Sequence, residues 1–348
     1  MRIPDFSIIG SGSWATALAK IITDNEHTVH WLVRSEPMAE HIARRHHNPN
    51  YLSSVYFNTG LLSLYTSAEK AIEASDHILI AIPSGYIIDT LNQLPRDIFS
   101  GKKVISAVKG ILPQKNILLN EYLKEEFNVA LTDYFTIMGP CHAEEIAAEK
   151  LSYLTFSGAD ETTAAEISSY FKTDYLNTVV NDDVYGVQYA AVLKNIYAVG
   201  AGMAHGLDYG DNFLSVLIAN CADEMAGFLR KTGIHHIEVG IHYDEDPVTH
   251  KKRANYAASV YLGDLLVTCY SPYSRNRSFG NMIGKGYSVK TAQLEMNMVA
   301  EGYNASKCIY EINKKTGADM PVAETIYRIL WENVKASQGF KQIESILV

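Results

Sequence analysis

No stretch of the 348-residue chain approaches the ~20 consecutive apolar residues that a bilayer core demands, so no helical membrane span is expected. The opening Met1-Arg2-Ile3-Pro4-Asp5 runs straight into a strand-like stretch and lacks the apolar core of a signal peptide, so no leader is expected. Cysteine is scarce: Cys141, Cys221, Cys269 and Cys308 lie far apart, with no C-x-x-C pair. That argues against a disulfide framework or a zinc cluster, and the thiols read as the reduced cysteines of a cytoplasmic protein. The 12 histidines show no H-E-x-x-H or comparable ligand spacing, so no metal is expected. Positive charge is in deficit. With 30 Lys+Arg against 39 Asp+Glu, the net charge is −9, which argues against nucleic acid or an anionic membrane as a partner but leaves room for a local basic pocket. Internal repeats and low-complexity tracts are missing too, so solenoid and disordered architectures drop out.

What is present is an ordinary globular composition, 47% hydrophobic and 20% charged, on a chain long enough for two domains of ~150 residues each. Short β-rich apolar runs occur at 6–10, 28–33, 63–66, 77–82, 103–107, 135–139, 153–157 and 176–180. Helix-like stretches such as 14–23, 68–74, 87–94 and 144–149 separate them. This alternation predicts βαβ units in a mostly parallel, doubly wound sheet. After about Asp183 the strand signal fades, and 184–201, 213–231, 291–313 and 322–331 carry helical periodicity. The expected fold class is α/β: a doubly wound sheet domain over 1–182, then an all-helical domain over 183–348. One polar, patternless stretch, 235–252, reads as a surface loop or insertion.

Phe6-Ser7-Ile8-Ile9 leads into Gly10-Ser11-Gly12-Ser13-Trp14-Ala15, a G-x-G-x-x-A turn in the strand–turn–helix context that a dinucleotide site needs. Gly10 permits the tight turn and Gly12 lets the backbone approach a pyrophosphate. The following helix N-terminus offers N–H groups and a positive dipole end. Arg34 lies 22 residues past Gly12, where an NAD site usually places an acidic residue for the ribose hydroxyls. An arginine there suits a 2′-phosphate and favours NADP(H), while Glu36 nearby keeps NAD(H) open. Ligands of doubly wound sheets lie beyond the carboxyl ends of the strands. Ile82-Pro83-Ser84, Val108-Lys109-Gly110 and Gly139-Pro140-Cys141-His142-Ala143 fall at such ends. Lys109 there meets a phosphate or a carbonyl oxygen, or is a surface lysine; His142 reads as a polar wall.

In the helical region Lys194 and Asn195 interrupt the apolar run from Ala190 to Ala198. Loss of hydration moves such a lysine toward neutrality and prepares it for acid/base work, unless it snorkels at the helix edge. Ser274-Arg275-Asn276-Arg277, at an expected helix start, combines hydroxyl, guanidinium, amide and backbone N–H groups into an anion site, or else forms an exposed basic turn.

These segments occur in the order GSGSWATALA (10–19), IPS (82–84), VKGI (108–111), GPCHAEEIA (139–147), LKNIYAVGAGMAHGLDYGDN (193–212), GDLLVTCYSPYSRNRSFG (263–280) and VAEG (299–302). Together they resemble the NAD(P)-dependent glycerol-3-phosphate dehydrogenases of the soluble bacterial type, from Ile8 to about Leu330. The resemblance implies a Rossmann-like first domain and a helical second domain like the C-terminal part of 6-phosphogluconate dehydrogenase. It implies bound NADP(H) or NAD(H) and reversible reduction of dihydroxyacetone phosphate to sn-glycerol 3-phosphate, supplying glycerophospholipid biosynthesis. Gly10, Gly12, Ser13, Trp14, Arg34 and Lys109 would touch the cofactor, Ala143, Val299 and Glu301 would close over it, and Arg275 would reach it. Lys194 matches the proton donor and acceptor. Lys109, Gly139, Cys141, Lys194, Asp264, Ser274, Arg275 and Asn276 match the substrate pocket. The implied partner is a small molecule, with no nucleic acid and no stable membrane insertion; a homodimer is left open. Two departures stand out: Cys141 replaces the usual Ser or Thr, which weakens a hydroxyl contact but not a backbone one, and the segment between Arg230 and Gly263 is longer than expected. The rival readings are a β-hydroxyacid dehydrogenase of the same two-domain plan and a nicotinamide-responsive sensor without catalysis.

Overall fold

The computed structural model describes residues 4–234, 258–296 and 300–347. The patternless stretch 235–252 and the expected cofactor residue Val299 lie outside the described residues. The chain divides into two compact units: Met1–Leu112 with Ile117–Val184, and Pro113–Asn116 with Tyr185–Val348.

The first unit is built on eight short strands: β1 (Phe6–Ile9), β2 (Val29–Leu32), β3 (Leu62–Tyr65), β4 (His77–Ile80), β5 (Lys103–Ser106), β6 (Tyr134–Met138), β7 (Ser152–Gly158) and β8 (Leu176–Asn181). They form one sheet in the order β3-β2-β1-β4-β5-β6-β7-β8. β1 lies between β2 and β4, both parallel to it, so the winding reverses beside β1, and ligands of such sheets bind at that reversal. β1 is wholly buried, as a parallel strand covered on both faces should be. Its side chains alternate between two cores. Phe6 and Ile8 join Ala15, Leu18 and Ile22 of the helix Ser13–Asp24. Ile9 joins Ile78, Ile80 and Val104 on the other face. Each such aliphatic side chain contributes about 1.5–3 kcal/mol on full burial.

The sheet is mostly parallel, with one reversal that the sequence pattern did not announce. β7 runs antiparallel to β6, and β8 is parallel to β7, so the last two strands oppose the first six. The link from β6 to β7 holds only the short helix Ala143–Ala147 and returns the chain at the same end of the sheet, as an antiparallel neighbour requires.

The second unit is helical over its described residues. Its central helix, Val184–Gly206, buries Ala190, Val192, Leu193, Ile196, Tyr197 and Val199, which is the all-round apolar pattern of a core helix. The helix Arg275–Gly284 crosses it backbone to backbone. A Cβ on Gly280 would sit 1.9 Å from the Val199 carbonyl oxygen, and one on Gly202 would sit 2.0 Å from that of Arg277. Gly202 with Gly206 and Gly280 with Gly284 are each four residues apart, so each pair lines one helix face.

The expected single helix over 291–313 is corrected to two, Val289–Glu295 and Glu301–Thr316. Met296 and Ala300 are both extended, and the second helix is anchored at its start by a hydrogen bond described below. Among the described residues no helix is long and apolar enough to cross a membrane.

Candidate active site

The glycine turn follows β1 directly. Gly10 sits at φ +135°, where an L side chain is strained, and a Cβ there would lie 2.4 Å from the Ala81 carbonyl oxygen. Gly12 caps the helix Ser13–Asp24, and a Cβ on it would meet nothing within 4 Å. No side chain caps this helix and no acidic residue occupies its first turn. An open approach to an uncapped, positively polarised helix start is what a diphosphate requires, so these residues fit a dinucleotide.

Other expected cofactor residues gather on the same turn. The Lys109 ammonium lies 4.9 Å from the centre of the Trp14 ring, a cation–π distance. Ser13 is buried beside them in sequence. Arg34 follows β2, exposed, with its Nη2 3.5 Å from the Tyr51 hydroxyl and its guanidinium 6.0 Å from that ring's centre. Glu36, which kept NAD(H) open in the sequence, accepts a 2.6 Å hydrogen bond from the Thr66 hydroxyl and opens the helix Glu36–Arg45. At the end of β6, Gly139 takes φ +128°, and a Cβ on it would lie 2.8 Å from the Tyr153 carbonyl oxygen, so the backbone alone demands glycine there. Cys141 and Ala143 are buried just beyond it.

The second unit holds the other group. Lys194 is carried by the Val184–Gly206 helix, and its ammonium pairs with Asp264 Oδ1, both side chains being almost fully buried. A desolvated ammonium is tolerated in such a place because a carboxylate faces it. Snorkelling at the helix edge is thereby ruled out for Lys194. Asp264 opens the helix Asp264–Tyr270, and the Thr268 hydroxyl donates to its backbone carbonyl at 2.6 Å. Its second carboxylate oxygen, Oδ2, is buried and has no hydrogen-bond partner among the described residues.

Ser274 caps the helix Arg275–Gly284 by accepting from the Arg277 N–H at 3.3 Å, which makes the Ser-Arg-Asn-Arg segment a helix start rather than a loose basic turn. Half-buried Arg275 is the first residue of that helix. The Asn276 amide is largely engaged: Nδ2 donates to Asn195 Oδ1 at 2.8 Å, and Oδ1 accepts from the Gly302 N–H at 2.9 Å. That second bond anchors the Glu301–Thr316 helix and brings Glu301 beside the Asn195–Asn276 pair. Close packing reinforces it, since a Cβ on Gly302 would lie 2.4 Å from the Asn195 carbonyl oxygen.

Burial pushes the Cys269 thiol up to about 12, against the opposing charges of Lys194 and Arg277. Among the described residues no group of His, Cys, Asp and Glu could hold a metal ion.

Three buried polar residues have partners that the sequence does not reveal. Asn195 is the acceptor that orients the Asn276 amide. Asn48 is fully buried and bonded to the glycine turn. Glu224 is buried and accepts from the Tyr197 hydroxyl at 3.1 Å and from the N–H groups of Val322 and Ala323 at 2.8 and 2.9 Å.

Comparison with known proteins places both halves of the chain in one family. Residues 5–164 match the family model for the N-terminus of NAD-dependent glycerol-3-phosphate dehydrogenase, and residues 183–341 match the model for its C-terminus. The chain is 34% identical over 337 residues to the glycerol-3-phosphate dehydrogenase [NAD(P)+] of Bacillus cytotoxicus, covering 96% of this chain and 93% of that one. It is 31% identical over 335 residues to the enzyme of the same name from Chlorobium limicola, covering 96% and 95%. The crystal structure of glycerol-3-phosphate dehydrogenase from Coxiella burnetii superposes with a TM-score of 0.86 at 24% identity, covering 98% of both chains, and shares the fold. With both halves matched in order, the chain belongs to the NAD-dependent glycerol-3-phosphate dehydrogenase family.

Proposed function

We propose that this protein reversibly reduces dihydroxyacetone phosphate with NADPH or NADH, giving sn-glycerol 3-phosphate and the oxidised cofactor. The observation that carries the reading is the buried Lys194–Asp264 pair, in which one carboxylate oxygen holds the lysine and the other has no partner among the described residues. A buried unsatisfied acceptor costs about 1–3 kcal/mol, so it is retained where a ligand hydroxyl is to fill it. Here that hydroxyl is the substrate's, next to a carbonyl oxygen facing Lys194.

The bound nicotinamide supplies the hydride or takes it up. The chain's own residues do the rest. Lys194, as ammonium, donates a proton to the C2 oxygen as negative charge develops there; as amine it takes that proton in reverse. Asp264 fixes the direction of the ammonium through Oδ1 and the substrate through Oδ2. Arg275, the Ser274 hydroxyl and the N-terminus of the Arg275–Gly284 helix hold the phosphate, with the remaining N–H of the Asn276 amide as a further donor. Lys109, with Trp14 against its ammonium, supplies a second positive charge on the cofactor side. At Cys141 only a backbone contact to substrate is retained. Arg34 meets the 2′-phosphate of NADPH, and Glu36, held by Thr66, does not compete for it. The same reading puts the enzyme in the cytoplasm, in keeping with four buried cysteines without disulfides, and makes it a source of glycerol 3-phosphate for glycerophospholipid synthesis.

The test is oxidation of NADPH, followed at 340 nm, with dihydroxyacetone phosphate and separately with β-keto acids. Turnover with the phosphate ester and not with the acids is expected; the opposite preference overturns the reading. Lys194→Ala should lose ~10²–10⁴ in kcat while staying folded and keeping its NADPH affinity, at a lower melting temperature because Asp264 loses its buried partner. A kcat within a few-fold of wild type would assign the proton to another group, Lys109 being the first to examine.

A further inference from the structure

We infer that Asn48 is a positioning residue for the dinucleotide, one that orients the glycine turn without touching the ligand. The inference rests on the assignment of that turn to the cofactor. Each carbonyl oxygen of the turn is tied back into the protein. Gly10 O accepts from Trp31 Nε1 at 2.7 Å, Ser11 O from Asn48 Nδ2 at 3.2 Å, and Gly12 O from both the N–H and the hydroxyl of Thr16 at 2.9 Å. In a planar trans peptide the N–H points opposite to the C=O. Locking these three carbonyls inward therefore turns the N–H groups of residues 11, 12 and 13 to the other side. That is the arrangement of an anion-binding nest.

Asn48 is the central lock. Its second amide hydrogen goes to Thr16 Oγ1 at 2.9 Å, so one side chain holds Ser11 directly and Gly12 through the threonine hydroxyl. Its Oδ1 is held in turn by the N–H groups of Asn50 and Tyr51 at 3.0 and 3.3 Å. Both amide hydrogens and the carbonyl oxygen are thus committed inside the protein, and the residue is 0% exposed. An amide satisfied in this way is rigid, and it cannot rotate toward a ligand without breaking the set. Alanine at 48 removes the lock on Ser11 and leaves Thr16 Oγ1 without its donor, so the turn's peptide planes gain freedom that binding must then remove.

The experiment is titration of NADPH and of NADH by their fluorescence enhancement on binding to purified Asn48→Ala and Thr16→Val, together with steady-state kinetics. Both cofactors carry the same diphosphate, so their Kd values should weaken about tenfold and to the same degree, the scale of losing one or two hydrogen bonds. With saturating cofactor, kcat and the KM for dihydroxyacetone phosphate should stay within about twofold of wild type, a split that a general loss of packing would not produce. Thr16→Val keeps the shape and removes only the relay hydroxyl, so it carries the test should Asn48→Ala fail to fold. A lower melting temperature with both Kd values unchanged would make Asn48 a packing residue and overturn the inference. Arg34→Ala, run in parallel, keeps the two assignments apart: loss of NADPH preference there bears on the 2′-phosphate contact and leaves Asn48 unaffected.

Discussion

At the scale of single residues, the proposed phosphate site depends on one guanidinium. Arg275 opens its helix beside the Ser274 cap, where a forked donor and the helix N-terminus would address the same anion. Arg275→Lys keeps the charge and loses the fork, so the KM for dihydroxyacetone phosphate should rise roughly tenfold or more. Unphosphorylated dihydroxyacetone should be poor in kcat as well as KM, because phosphate binding orients the carbonyl. Equal kcat/KM for the two ketones would remove the phosphate role. Lys194 was legible in the sequence because a lysine within nine apolar-rich helical residues is anomalous on any reading. Asp264 was not anomalous; a carboxylate after Gly263 looks like any helix start, and only the resemblance singled it out. Asn48 gave no sign of its role, since His46-His47-Asn48-Pro49-Asn50 reads as an ordinary polar turn: its bonds from the Asn50 and Tyr51 N–H groups are those of such a turn, and only the two to Ser11 and Thr16 are tertiary.

At the scale of elements, the strands were more legible than the helices around them. All eight strand positions were visible as short β-rich runs; β1, β4, β5 and β6 are nearly all buried and have few polar positions to blur them. The helices Glu36–Arg45, Leu119–Phe127 and Glu161–Ser169 do not stand out in the sequence; Glu36–Arg45 buries only Met38 and Ile42. Start signals were nevertheless there: Ser35 with Pro37, and Asp160, whose carboxylate accepts from the N–H groups of Thr162 and Thr163. Periodicity ran straight through the break after Glu295 because apolar residues continue on both sides of it. The glycine crossing between the Val184–Gly206 and Arg275–Gly284 helices sets how far Lys194 stands from the helix start proposed to bind phosphate. Gly280→Ala would force a methyl group against the Val199 carbonyl oxygen. It should destabilise the protein by about 3 kcal/mol or more, in the range of severe overpacking, with a lower urea midpoint. A midpoint unchanged from wild type would mean that the crossing is loose.

At the scale of the whole molecule, one buried carboxylate ties three helices and makes stability depend on pH. Glu224, on the Asp211–Lys231 helix, receives the Tyr197 hydroxyl from the Val184–Gly206 helix and the N–H groups that open Pro321–Trp331. Burial is the largest influence and pushes its carboxyl up to about 7, with the three hydrogen bonds pulling the other way and Asp319 adding a little upward. The folded state thus holds this proton more tightly than the unfolded chain, whose glutamate titrates near 4.5. Its contribution is fully present below pH 4.5 and is lost as pH rises through about 7, amounting to roughly 3 kcal/mol at most. Urea unfolding between pH 5 and 8 should show this as a decline that Glu224→Gln flattens; an identical pH slope in the variant would assign the decline to other groups.

The bond from the Gly302 N–H to Asn276 also turns one amide into a reporter. Backbone N–H groups in the first turn of a helix have no intrahelical acceptor and normally exchange with solvent deuterium quickly. Gly302 is the second residue of its helix, yet its N–H is buried on a side chain that belongs to the proposed phosphate site. Its exchange should therefore be slow in the free protein and slower still when an anion such as glycerol 3-phosphate immobilises Asn276. A single isotope-exchange rate, read in the absence of any turnover, would then follow occupancy of the substrate site.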